Sequence, residues 1–159
     1  MIKSGGSFFH NGIRCTIGAV TLLKGLPYMV TVSHLFQGEG DHLTVDGMKL
    51  AVTRILKNYD LALIEIPPDS PVEITEFGVP AVLEQAELIN ETHVIRCRIV
   101  NSGASLVYLS FPRLNMPEPG DSGSPILQGG KVIGIMSSVT LNNCMGTAIS
   151  SNILRSLKR

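Results

Sequence analysis

Apolar and polar positions alternate along most of the chain in short runs, separated by turn residues. IRCTIGAVTLL, PYMVTVSHLF, HLTVDGMKLAVTRIL and LALIEI are rich in Val, Ile, Thr and aromatics, the composition of half-buried strands. KGLP (Lys24 to Pro27) and VDGM (Val45 to Met48) punctuate them as tight hairpin turns. AVLEQAELI, THVIRCRIV, SLVYLSF, SPILQGG-KVIGIMSS and GTAIS repeat the style in the second half, with QGGK (Gln128 to Lys131) as another turn. Helical spacing is confined to the end, SNILRSLKR. Ser151 or Asn152 serves there as a cap, and Ile153, Leu154 and Leu157 share one face.

Between the two sets of strands lies PPDSPVEITEFGVP, Pro67 to Pro80, proline-rich and without periodicity. The expected architecture is all-β: two packed six-stranded antiparallel β-barrels with a short C-terminal helix. Residues 1–70 form the first barrel, 71–80 the linker and 81–159 the second barrel. Strand pattern alone leaves a single β-sandwich open.

Composition narrows the function classes. Hydrophobic residues make up 44% and charged residues 16%, enough apolar material for a packed core and too little charge for a disordered chain. The 13 basic and 13 acidic residues cancel, which disfavours nucleic acid and anionic membranes as partners. No apolar run approaches the ~18 residues of a membrane helix. MIKSGGSFFHNG lacks the apolar core of a signal peptide. The cysteines, Cys15, Cys97 and Cys144, are odd in number and widely spaced, so a disulfide framework is not expected. A cytoplasmic, reducing location follows, with no metal or other cofactor, and the chain could be part of a larger protein or complex.

The chemistry concentrates in PEPGDSGSPIL, Pro117 to Leu127. Glycines on both sides of Asp121-Ser122 permit a tight turn whose backbone N–H groups point to one side. A serine hydroxyl beside such a nest suits acyl transfer, yet a plain turn has the same composition. Of the four histidines, His34 ends an apolar strand where it can be held firmly. His10 and His42 stand in apparent surface turns, and His93 opens a strand without special context. Asp60, in NYDLALIEI, directly precedes an apolar strand and can orient a base.

The order His34, Asp60, Ser122, in the contexts VSH, DLAL and GDSGSP, resembles the chymotrypsin-like serine peptidases of the trypsin superfamily, in a compact bacterial or viral form. PGDSGSPILQGGKVIGIMSS is further similar to the stage IV sporulation serine peptidases. The resemblance implies two β-barrels, with Ser122 as nucleophile, His34 as general base and Asp60 as orienting carboxylate. It also implies an oxyanion hole from the N–H groups of Gly120 and Ser122, and Asp121 as the residue that holds the turn. Ser137, Ser138 and Val139 correspond to the strand that pairs with extended substrate, and Gly146 and Thr147 to the opposite wall of the primary pocket. Met116 stands where trypsin-like members carry an aspartate selecting Lys or Arg, so a small or apolar primary pocket is expected.

The chain departs from the family in short spacings between these residues and in lacking, ahead of His34, an Ile-Val segment whose processed N-terminus would pair with Asp121. The implied function is a serine endopeptidase acting on proteins or peptides. The alternative is a catalytically silent peptide-binding or scaffold module of the same fold. GDSGS without alternating helices excludes an α/β-hydrolase.

Overall fold

A computed structural model of the chain describes residues 1–157. The first half contains β1 (Ser7–His10), β2 (Ile13–Thr16), β3 (Ala19–Leu23), β4 (Leu26–Val32), β5 (His42–Val45), β6 (Met48–Ala51), β7 (Arg54–Leu56) and β8 (Leu61–Glu65). They form two four-stranded sheets, in the orders β2-β1-β5-β6 and β3-β4-β8-β7. The expected six strands become eight because two of them bend, at Ile17–Gly18 and at Val52–Thr53. Each bend carries one long strand from one sheet into the other, which is how orthogonally packed sheets turn their corners. Ile17 and Val52 are buried at these corners in one core with Phe8, Val20, Met29, Leu43 and Ile64.

The second half is a closed barrel in the order β10-β11-β14-β13-β12-β9. Its strands are β9 (Gln85–Ile89), β10 (Val94–Ser102), β11 (Leu106–Ser110), β12 (Pro125–Gln128), β13 (Lys131–Thr140) and β14 (Met145–Ser150). Alternation is cleanest in β10, where Ile95, Cys97 and Ile99 are buried while Arg96 and Arg98 face outward. Closure leaves no sheet edge along most of the barrel.

The two halves meet over a third core. Ala19, Val30, Val32, Leu61 and Leu63 of the first pack on Ile135, Ile149 and Leu154 of the second. Burying such side chains contributes about 1.5–3 kcal/mol each and fixes how β4 and β8 lie against β13. Residues 67–80 run between the halves with only isolated bridges, Ile2 to Val72 and Phe77 to Val132.

The three expected hairpin turns adopt left-handed backbone, at Lys24-Gly25, Asp46-Gly47 and Gly129-Gly130. The helix, α1 (Ser151–Ser156), is capped by Ser150 rather than by Ser151 or Asn152. Ser150 Oγ accepts from the Asn152 N–H, whereas the Ser151 hydroxyl turns inward and donates to the Gly78 carbonyl at 2.6 Å. The last two residues of the expected helical stretch, Lys158 and Arg159, lie outside the described residues. No described helix is long and apolar enough to cross a membrane.

Candidate active site

The register between β4 and β8 brings the first two candidates together. Val32 pairs with Leu61, so the residues just beyond them, Ser33-His34 and Asp60, emerge side by side at the same end of the sheet. His34 sits in a 3-10 turn over Ser33–Leu35. Asp60 holds left-handed backbone at φ 54°, which aspartate tolerates better than most side chains. The Asp60 carboxylate accepts four hydrogen bonds. Oδ1 takes the Ser33 hydroxyl and the His34 N–H, both at 2.9 Å. Oδ2 takes His34 Nδ1 at 2.8 Å and the Ser137 hydroxyl at 2.7 Å.

These bonds set the charges. Burial by itself would raise the Asp60 carboxyl, but the donors His34, Ser137 and Ser33 outweigh it and hold it below the ordinary carboxylate range. The same bond to Asp60 raises His34 above an ordinary histidine, against a smaller opposing effect of burial. Asp60 therefore stays ionised at neutral pH, and neutral His34 carries its proton on Nδ1 with Nε2 free to accept one.

Ser137 comes from β13 at a register shift between Met136 and Ser138. The irregularity turns its hydroxyl across the seam between the halves to reach Asp60. Ser137 also lines a cleft of about 210 Å³ with Pro117, Glu118, Pro119, Ser122, Met136, Ser138, Val139 and Leu141. Ser137 thus both bonds Asp60 and lines the cleft that Ser122 borders. Among the described residues, no hydrogen bond joins the Ser122 hydroxyl to His34.

Ser122 closes a 3-10 turn over Pro119–Asp121, just ahead of β12. Gly123 N–H donates to the Met136 carbonyl and Met136 N–H to the Ser124 carbonyl, both at 2.8 Å, tying the turn to β13. Gly123 has φ +87°, and a Cβ there would stand 2.5 Å from Thr31 Oγ1 and 2.9 Å from the Thr16 carbonyl. Only glycine allows the turn to press so closely on the first half. The Ser122 N–H, expected to face an oxyanion, donates to the Pro119 carbonyl at 3.4 Å. That bond is long and weak.

The other candidates divide. Ser138 and Val139 border the cleft, while Met116, Gly146 and Thr147 do not. Met116 packs against the second-barrel core. Gly146 lies under Phe111 and Met136, whose atoms would be 2.8 and 2.9 Å from a Cβ. Thr147 Oγ1 is paired with Ser138 Oγ at 2.7 Å.

Two histidines have surroundings that local sequence does not convey. His10, expected at the surface, is buried edge-on against Phe36, with ring centroids 5.0 Å apart. His93, expected to have no special context, contacts the Asp121 carboxylate at 2.8 Å. The only local cue for His93 is Asn90, three places earlier, whose side chain caps the His93 N–H. Among the described residues, no group of three or more His, Cys, Asp or Glu side chains is arranged to hold a metal ion.

No protein-family model and no curated protein matches the chain. Solved structures do. Protease A of Thermobifida fusca matches with a TM-score of 0.78 at 18% identity, over 98% of this chain and 94% of that one. A Nocardiopsis protease matches with a TM-score of 0.73 at 19% identity, over 98% and 96% of the two chains. The tobacco etch virus protease matches with a TM-score of 0.63 at 16% identity, over 96% of this chain and 78% of that one. The chain therefore has the compact chymotrypsin-like fold.

Proposed function

We propose that the protein is a serine endopeptidase, with Ser122 as nucleophile, His34 as base and Asp60 as orienting carboxylate. The observation that carries this reading is the fully bonded Asp60, whose four donors include His34 Nδ1. A carboxylate held in this way fixes the imidazole tautomer and its ring plane, and it stabilises the imidazolium formed in the reaction.

The Ser122 hydroxyl adds to the scissile carbonyl and its proton passes to His34 Nε2. The tetrahedral intermediate collapses as His34 returns that proton to the leaving amine, leaving an acyl-enzyme. A water molecule, deprotonated by the same nitrogen, then adds to the acyl-enzyme, and His34 returns that proton to Ser122 Oγ as the acid product leaves. Stabilising the oxyanion requires the Pro119–Gly120 peptide to rotate so that the Pro119 carbonyl releases the Ser122 N–H. Gly120 has nothing within 4 Å of the place a Cβ would occupy, so its outer face is open to solvent or substrate.

Substrate binding draws support from β13. Its strand pairing with β12 ends at Ile135, and among the described residues the strand partner of Ser138, Val139 and Thr140 is β14 alone, on their other side. That open edge suits an extended peptide added as a further strand. Pro117, Pro119, Met136, Val139 and Leu141 give the cleft an apolar lining with Glu118 as its one charged residue, which suits a small apolar side chain. Cys15, Cys97 and Cys144 are all free, in keeping with action in a reducing compartment.

One observation favours a second reading, a silent peptide-binding module: the Ser122 N–H is engaged by the Pro119 carbonyl. Labelling with a fluorophosphonate separates the two. The wild type is expected to label, with Ser122→Ala and His34→Ala losing the signal. Full labelling of Ser122→Ala would remove Ser122 from the mechanism, and an unlabelled wild type would favour the silent module.

A further inference from the structure

The turn bearing Ser122 is held from beneath by a buried carboxylate whose partner is a histidine. Asp121 is 1% exposed. Its Oδ1 accepts from Asn90 Nδ2 at 2.9 Å and from His93 Nδ1 at 2.8 Å. Its Oδ2 accepts from the Glu118 N–H at 2.8 Å. Asn90 Nδ2 also donates to Ser124 Oγ at 2.9 Å, and Asn90 Oδ1 accepts from the His93 N–H at 2.8 Å. The hairpin turn between β9 and β10 is thereby stitched to both sides of Ser122. None of these groups moves a proton in the proposed reaction.

His93 is itself open to titration. Its ring borders a cavity of about 280 Å³ that also reaches Arg14, Glu91 and Glu118. The charged groups facing it are Asp121 and Glu118 from the Ser122 turn, Glu91 from its own hairpin and Arg14 from β2. Glu118 lies 3.9 Å from Nε2, and Glu91 is occupied by the Ser7 hydroxyl. The only basic residue of the cavity besides His93 is Arg14, and none of the hydrogen bonds to Asp121 comes from it.

We propose that His93 is a positioning residue for the oxyanion turn: as imidazolium it secures the buried Asp121 carboxylate, and on losing its proton it loosens residues 118–122 and slows reaction at Ser122. The reason is charge balance. A neutral imidazole still donates one hydrogen bond, but the carboxylate is then left in the interior without a countercharge, which buried carboxylates tolerate poorly. The hydrogen bond to Asp121 and its charge raise His93 above an ordinary histidine, burial opposes this, and Glu118 adds to it. A raised folded-state value means the stabilisation is fully present below the unfolded value, about 6.5, and is lost as pH rises through the folded one. His34 must be unprotonated to act, so the two histidines confine activity to a window, with His34 setting its acid side and His93 its alkaline side.

The kinetic part rests on the proposed role of Ser122, and the structural part does not. Nuclear magnetic resonance of the ¹⁵N-labelled protein from about pH 5 to about pH 10 reads the structural part, across the range where histidines titrate. The Gly120 and Ser122 amides are expected to shift with the midpoint of the His93 ring, and to lose that transition in His93→Arg. His93→Gln, which retains a donor without charge, also removes the transition and serves if the arginine variant does not fold. Fluorophosphonate labelling of the wild type is expected to fall by about tenfold or more on the alkaline side, a barrier change of ~1.4 kcal/mol. His93→Arg keeps its rate there, and His93→Gln is slow throughout. Amides that ignore the His93 midpoint overturn the proposal, as does an alkaline decline that persists unchanged in both variants. A wild type that never labels, with amides that do follow His93, removes the proposed function and leaves the positioning role standing.

Discussion

Gly123→Ala tests whether the Ser122 turn depends on the close approach of the two halves. The added methyl meets three penalties. Gly123 has φ +87°, and an L-residue in left-handed backbone costs about 1–2 kcal/mol. The methyl would also lie 2.5 Å from Thr31 Oγ1 and 2.9 Å from the Thr16 carbonyl, an overpacking that costs about 1–3 kcal/mol. Thr31 Oγ1 donates to that same carbonyl at 2.9 Å in a buried site, so displacing it costs a further ~1 kcal/mol or more. The total, about 3–6 kcal/mol, is a large share of the ~5–15 kcal/mol that holds a domain folded.

Gly25→Ala supplies the control. Gly25 has φ +80° with nothing within 4 Å of a Cβ, so it carries the backbone term alone, about 1–2 kcal/mol. For a chain of 159 residues, each kcal/mol moves the melting temperature by about 2–4 °C. Thermal unfolding followed by circular dichroism should therefore show Gly123→Ala falling by roughly 10–20 °C and Gly25→Ala by less than about 8 °C. Labelling at Ser122 should drop about 100-fold in Gly123→Ala, from a displacement near 1 Å, and should be unchanged in Gly25→Ala. Melting temperatures within ~2 °C of each other would refute the reasoning, because the two substitutions differ only in what surrounds them.

Asp60→Asn keeps the left-handed backbone, since asparagine also tolerates it, but removes the charge beside His34. The His34 midpoint should fall toward that of an ordinary histidine and labelling should drop by roughly 10⁴-fold; an unmoved midpoint in a ring titration would contradict the pairing. Ser137→Ala deletes one of the donors that depress Asp60. The stability contributed by a depressed carboxylate is present above its unfolded value and lost as pH falls through the folded one. The acid-unfolding midpoint of this variant should therefore move upward, with a loss of about 1 kcal/mol at neutral pH by urea titration.

What could be read from sequence is what short-range pattern encodes. Hairpins at Lys24-Gly25, Asp46-Gly47 and Gly129-Gly130 follow from residues that accept positive φ, and Ile95, Cys97 and Ile99 face inward because side chains alternate along a strand. β1 was not legible, because SFFH is only four residues long and lies between glycine-containing turns. The bends at Ile17–Gly18 and Val52–Thr53 were hidden for a different reason. The residues there read as ordinary strand, and the turn of the sheet is imposed by packing around Phe8 and Met29. His93 and Asp121 are 28 residues apart, a pairing made by barrel closure, to which no local period corresponds. The Ser122 N–H likewise depends on one peptide orientation within a turn whose composition permits two.

The candidate site belongs to neither half alone. His34 and Asp60 are brought together by β4 and β8, and Ser122 and Ser137 by the second barrel. Across the seam between the halves, the site depends on the Ser137 hydroxyl on Asp60 and on the close approach around Gly123. Gly18 sits on the other side of that approach, where a Cβ would be 2.8 Å from the Gly123 carbonyl and 2.6 Å from Ile135 Cδ1. A backbone-to-backbone contact this tight resists sliding far better than long side chains do, because it has no rotamers to adjust. The apolar core between the halves supplies the adhesion, and the paired glycines supply the register. Loosening the seam would leave the His34–Asp60 pair intact and still cost the cleft its alignment with it.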